Sequence, residues 1–178
     1  MLYNATTFIL LFALVIFATL IHENNQLPRR NKSLFYTLTA VLAVVIISEW
    51  AGVQLSGNPI ANGALLCAAK FADYTLTPTV AILIAANILS DRQLKLALIP
   101  IVLNVALQIV SLPFGLTFYL DGGFYYHHGP LYVLYLALVA VSLGIFVAAL
   151  LSFGSKRAHK NRLFLILITF FVITGTLL

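Results

Sequence analysis

Three ionisable residues interrupt the apolar runs of a 178-residue chain: Glu49, Lys70 and Asp73. Inside a spanning helix such a residue costs about 2.5–3.5 kcal/mol at the bilayer centre, so each needs a partner or water. Lys70 and Asp73 are three apart and share a helical face. At 1.5 Å per residue, Glu49 lies ~9 Å from the end of its run at Leu55, and Lys70 ~14 Å from the start of its own at Ala61. The two therefore meet at a similar depth. Asn104 and Gln108, four apart, add a polar face on the next run. These five predict a polar cavity open to the outside. The trio carries a net charge of −1, which suits a cationic or zwitterionic ligand, or a shared proton. The structural alternative is an ion pair of Lys70 with Glu49 or Asp73, with the two amides bonding between helices.

A second source of chemistry is the aromatic stretch after Pro113, centred on Phe118-Tyr-Leu-Asp-Gly-Gly-Phe-Tyr-Tyr-His-His128. Asp121-Gly122 is a turn signal, and the residues on both sides favour strands. The pattern predicts a hairpin of 116–120 with 124–128, lying over the outer mouth of the bundle. Asp121, Tyr126 and His128 join the candidate ligand-binding set as lid residues. Tyr119, Tyr125, Tyr126 and Tyr132 also suit an aromatic belt at headgroup level. His127 and His128 are adjacent, so on a strand they point to opposite faces and make poor joint ligands; no metal site is expected. Histidine titrates near neutral pH, which makes a pH-responsive contact an open role. The chain has no glycine-rich phosphate loop, nucleophile elbow, His-Glu-x-x-His or Cys-x-x-Cys. No cofactor is implied, and these 178 residues are expected to bind rather than catalyse.

The elements that must position these groups follow from composition. The chain is 62% hydrophobic and 8% charged, with a mean hydropathy of +1.04. A soluble domain carries about a quarter charged residues, so a soluble enzyme, a disordered protein and a nucleic-acid-binding domain are excluded. Six apolar runs, at about 4–21, 34–55, 61–89, 94–112, 131–153 and 163–178, predict an all-α polytopic transmembrane bundle forming one domain, 1–178. The last run is short. Nine of the ten basic residues lie in alternate breaks, at Arg29, Arg30 and Lys32, at Arg92 and Lys95, and at Lys156, Arg157, Lys160 and Arg162; Lys70 is the tenth. By the positive-inside rule these breaks are cytoplasmic and the N-terminus is outside. Pro78 and Pro100 sit inside runs and remove backbone hydrogen bonds; threonines around Pro78 can satisfy freed carbonyls. A lone cysteine, Cys67, excludes an internal disulfide.

The segment from Leu112 to Tyr132 resembles the N-terminal membrane sensor region of bacterial, mainly Firmicute, GGDEF diguanylate cyclases, and the related seven-helix region of some histidine kinases. The matching positions are Phe118, Tyr119, Asp121, Tyr126, Gly129 and Pro130, with His128 where the family has Arg. Glu49, at the end of the second run, also fits. The motif covers about 20 residues, and hydropathy extends the likeness over most of the chain. The resemblance implies a multi-pass protein of the bacterial cytoplasmic membrane, with seven helices, an outside N-terminus and a cytoplasmic output domain. Six runs would then be a sensor portion ending before its seventh helix. The expected function is a sensory input module; the alternative is a small transporter or permease subunit using the same polar cluster. Expected partners are the lipid bilayer, a small extracellular ligand or ion, and a second copy in a homodimer formed through helices or an output domain. Nucleic acid is not among them.

Overall fold

The computed structural model describes residues 2–57 and 63–156 of the chain. Five helices follow one another: α1 (Leu2–Glu23), α2 (Arg29–Leu55), α3 (Gly63–Ala86), α4 (Asp91–Phe114) and α5 (Tyr132–Lys156). Between α4 and α5 lies a two-stranded antiparallel hairpin, β1 (Phe118–Leu120) and β2 (Tyr126–His128). Among the described residues, α1, α2, α4 and α5 are long and apolar enough to cross a membrane. α3 is not among these four, because its middle, Lys70 to Pro78, is polar. Of the six expected runs, five are thus helices, and the sixth, 163–178, lies outside the described residues with Arg157, Lys160 and Arg162.

Helix ends differ from the runs for local reasons. α2 begins at Arg29, five residues before its apolar run, because Pro28 precedes it and the basic turn Arg29–Lys32 is itself helical. α4 starts behind a capping box: the Ser90 hydroxyl accepts from the Gln93 N–H and the Gln93 side chain accepts from the Ser90 N–H. α3 is the hub and packs against α2, α4 and α5, whereas α1 packs on α2.

Neighbours in sequence run antiparallel. Asn4 at the start of α1 accepts hydrogen bonds from Trp50 and Gln54 near the end of α2, while Phe17 packs edge-on against Phe35 at the other end. α3 and α5 run the same way. Tyr74 meets Tyr135 at one end, and Ala81 and Ala85 pack with Phe146, Ala149 and Leu150 toward the other. Small residues let these two helices approach closely. Large apolar side chains such as Phe8, Phe12, Val102, Leu103 and Val133 cover the outside, the surface a bilayer would meet.

The bundle therefore has two distinct ends. At one, Arg30 of α2 pairs with Asp91 of α4 at 2.9 Å, among Arg29, Lys32, Arg92 and Lys95. At the other, the hairpin lies over the helices, with the Gly57 N–H bonded to the Phe124 carbonyl. The two described basic breaks are thus on one end and the hairpin on the opposite one, as the alternation of charge predicts.

The hairpin is shorter than its sequence pattern suggests. Its register pairs Phe118 with His128, Tyr119 with His127 and Leu120 with Tyr126. Residues 121–125 form a closing loop instead of strand. Asp121 Oδ1 accepts from the N–H of Gly123 and Tyr125, the Phe124 N–H returns to the Asp121 carbonyl, and Phe124 takes φ 60°. On the other side, the Leu116 carbonyl accepts from the Leu131 N–H, committing that residue to the α5 junction. Gly129 is required there, since a Cβ would collide with the backbone carbonyls of Gly115 and Leu116.

Candidate functional site

The polar residues of the bundle form two groups instead of one shared cavity. The first is neutral and enclosed. Asn104, Gln108, Ser111 and Thr117 are all essentially inaccessible. Their hydrogen bonds run in one direction. The Ser111 and Thr117 hydroxyls lie 2.7 Å apart, and the Thr117 N–H donates to Ser111 Oγ. The Thr117 hydroxyl donates to Gln108 Oε1 (2.8 Å), Gln108 Nε2 to Asn104 Oδ1 (3.3 Å), and Asn104 Nδ2 to the Tyr74 carbonyl (2.9 Å). The last acceptor explains the first. Pro78 has no N–H, so the carbonyl four residues earlier, that of Tyr74, loses its helical donor. Asn104 supplies one from the next helix. The two amides expected to line a ligand cavity therefore tie α4 to the break in α3 and to the root of the hairpin.

The second group is charged, aromatic and partly open. Lys70 places Nζ 4.9 Å from the centre of the Tyr126 ring of β2, a cation–π contact. Its stem passes over Gly52 of α2, where a Cβ would stand 2.7 Å from Lys70 Cε. With glycine at this position, the lysine stem lies directly against the α2 backbone on its way to the hairpin. One turn on, Asp73 is half-buried and its Oδ1 accepts from the Thr77 hydroxyl at 3.1 Å. Lys70 and Glu49 are the two charges that act on Asp73 through space. Among the described residues none of the three charges is within salt-bridge distance of another. Glu49 itself is exposed on α2, with the Tyr3 phenol of α1 beside it.

Around Lys70 and Asp73 stands a cluster of rings. Tyr74 packs on Tyr135 with centroids 4.5 Å apart and edge-on against Phe118 at 5.6 Å, and its hydroxyl bonds the Tyr126 hydroxyl. Tyr132 completes the group and stacks flat on His128, at 3.8 Å and 5°. Burial pushes the Tyr126 phenol up, and Tyr132 and Asp73 add to the shift. The Tyr126 hydroxyl therefore stays protonated at neutral pH and can donate as well as accept. Sequence reasoning named Tyr126 and His128 but missed Tyr74 and Tyr135 as site residues. The signal was present in α5, where Tyr132 and Tyr135 are three apart at the hairpin end.

Asp121 stands apart from both groups. His127 Nε2 lies 3.1 Å from Asp121 Oδ2, and the His127 ring stacks on Tyr119. The hydrogen bond from His127 and the backbone N–H of Tyr125 hold the Asp121 carboxyl below the usual carboxylate range. Its contacts close the hairpin loop and do not reach Lys70. The two histidines face opposite sides, His127 toward Tyr119 and His128 toward Tyr126 and Tyr132. No group of three metal-ligating side chains converges among the described residues.

Two cavities lie elsewhere. An apolar one of about 160 Å³ sits beside Pro78, between Leu42 and Val45 of α2 and Val139, Leu143 and Phe146 of α5. It begins at Thr77, directly below Asp73. The other opens at the basic end.

Fold and composition define a multi-pass helical membrane protein with four candidate spans among the described residues. Comparison with models of known families, with curated proteins and with solved structures finds no match.

Proposed function

We propose that this chain is a membrane input module in which a small cationic or zwitterionic ligand, or an ion, acts on the Lys70–Asp73–Tyr126 cluster beneath the hairpin. The observation that carries the reading is the contact of Lys70 with Tyr126. An intramembrane charge is held by a ring of the hairpin instead of by a neighbouring carboxylate. Asp73 is thereby left for a second cation. A ligand that takes Asp73, or that competes for Tyr126, changes how the hairpin sits on α3. It can shift the bundle only through a difference in affinity for the two arrangements.

The orientation that suits this role puts the hairpin and N-terminus outside and the basic end in the cytoplasm of a bacterium, following the positive-inside rule. The resemblance to sensor regions of GGDEF diguanylate cyclases and histidine kinases adds the class of output, a cytoplasmic cyclase or kinase domain. The residues that carry the resemblance bear on the hairpin. Phe118 is buried, Asp121 closes the loop, Tyr126 holds Lys70 and Gly129 allows the close turn.

The test is a thermal-shift screen of the full chain in detergent against primary amines, quaternary ammonium compounds, zwitterionic amino acids and monovalent cations. At least one class is expected to raise the melting temperature of wild type and to lose that effect in Asp73→Asn and in Glu49→Gln. A response that survives both substitutions sinks the reading. Uptake of the same compound into sealed vesicles separates an input module, which moves no solute, from a small transporter.

A further inference from the structure

At the end opposite the hairpin, α4 and α5 part. Between them lies a groove of about 370 Å³, floored by Ile88 and Leu89, with Leu96 and Ala97 on one wall and Ala148 and Ala149 on the other. This is within the size range of small-molecule sites. The α5 wall is completed by Ile145 and Ser152.

The two polar residues on its lining are already engaged. The Gln93 side chain accepts from the Ser90 backbone and hydroxyl in the capping box, and the Ser152 hydroxyl donates to the Ala148 carbonyl at 2.8 Å. The groove therefore asks little of an occupant in hydrogen bonds, and hydrocarbon suits it better than a polar ligand.

Its mouth is basic. Arg92 is one turn before Leu96 and so shares its face of α4. Lys95 neighbours Leu96. Both are exposed, and neither has an ion pair or hydrogen bond among the described residues. The nearest carboxylate in sequence, Asp91, is held by Arg30. A basic pocket between helices, beside an apolar groove, is matched by an anionic headgroup with its chain attached.

We propose that this groove binds one acyl chain of an anionic phospholipid whose phosphate lies between Arg92 and Lys95. Native mass spectrometry of the full chain, purified in detergent and offered equal phosphatidylglycerol and phosphatidylcholine, reads the site directly. Wild type is expected to retain several-fold more phosphatidylglycerol. Arg92→Gln/Lys95→Gln brings the ratio close to one. Ala148→Phe fills the groove and loses both lipids, whereas Ala148→Ser leaves it open and keeps the wild-type ratio. Arg29→Gln/Lys32→Gln removes the same charge at the same end, away from the groove, and also keeps the ratio. Wild-type retention in Ala148→Phe, an unchanged ratio in Arg92→Gln/Lys95→Gln, or an equal fall in Arg29→Gln/Lys32→Gln overturns the proposal. If Ala148→Phe loses its helical circular dichroism, the two charge variants decide alone.

Discussion

The two polar groups of this bundle share one residue and behave as opposites. The Tyr74 carbonyl ends the enclosed chain from Ser111 through Asn104, while the Tyr74 ring and hydroxyl belong to the open cluster with Tyr126. In the enclosed chain every amide and hydroxyl has a named partner and no formal charge is present. In the open cluster three charges lie near one another without a salt bridge among them. A satisfied neutral network fixes one arrangement, because any departure leaves a buried group unpaired. A loosely paired charged cluster has alternatives of similar energy. Polarity inside a membrane bundle thus says little about role until its hydrogen bonds are traced.

The contrast can be broken hardest at Gln108. Gln108→Ala opens a cavity and strands the Thr117 hydroxyl and Asn104 Oδ1, so a loss of about 3 kcal/mol is expected in a mixed-micelle unfolding titration. Next comes Asn104→Ala, expected to cost about 1–2 kcal/mol. Pro78→Ala restores an N–H able to reach the Tyr74 carbonyl. In that background the cost of Asn104→Ala should fall by about 1 kcal/mol, and a double-mutant cycle measures the difference. Strict additivity would refute the idea that Asn104 serves the carbonyl freed by Pro78. The charged cluster should respond less. Lys70→Met removes one cation–π contact and is expected to change stability by about 0.5–1 kcal/mol in the same titration.

The smallest effect is a pH dependence at the hairpin. The folded-state pKa of Asp121 is depressed, so its stabilisation is present above the unfolded carboxylate pKa of about 3.9 and is lost as pH falls through the lower folded value. Melting temperatures below pH 4 should therefore drop more in wild type than in Asp121→Asn. Parallel curves would show that the Asp121–His127 pair contributes nothing to the loop.

Hydropathy made most of the fold legible. The runs at 4–21 and 94–112 fall inside α1 and α4, the run at 131–153 starts one residue before α5, and Asp121 marks the loop that closes the hairpin. Helix ends were less visible, because Arg29–Lys32 and Asp91–Gln93 are polar yet helical; a cap and a preceding proline, not apolarity, set those starts. Position along each helix was legible, but rotation about each helix axis was not. Spacing put Glu49, Lys70, Asp73, Asn104 and Gln108 at compatible depths. The direction each faces depends on packing, which sends Asn104 and Gln108 toward Tyr74 and Thr117 and leaves Glu49 on the exposed side of α2. The ring cluster joins α3, the hairpin and α5, so its members are up to 61 residues apart, from Tyr74 to Tyr135, and no local window contains them.

The Tyr74 carbonyl, where Asn104 holds it, divides α3 into nearly equal lengths: eleven residues, ~17 Å, back to Gly63 and twelve, ~18 Å, on to Ala86. Mechanically, the helix is a balanced beam whose fulcrum is clamped to α4 by the Asn104 amide. A tilt about that point moves both tips by similar amounts in opposite directions. For a rigid α3, a sideways push on the hairpin tip would arrive with little gain or loss at the end of the beam beside Ile88 and Leu89.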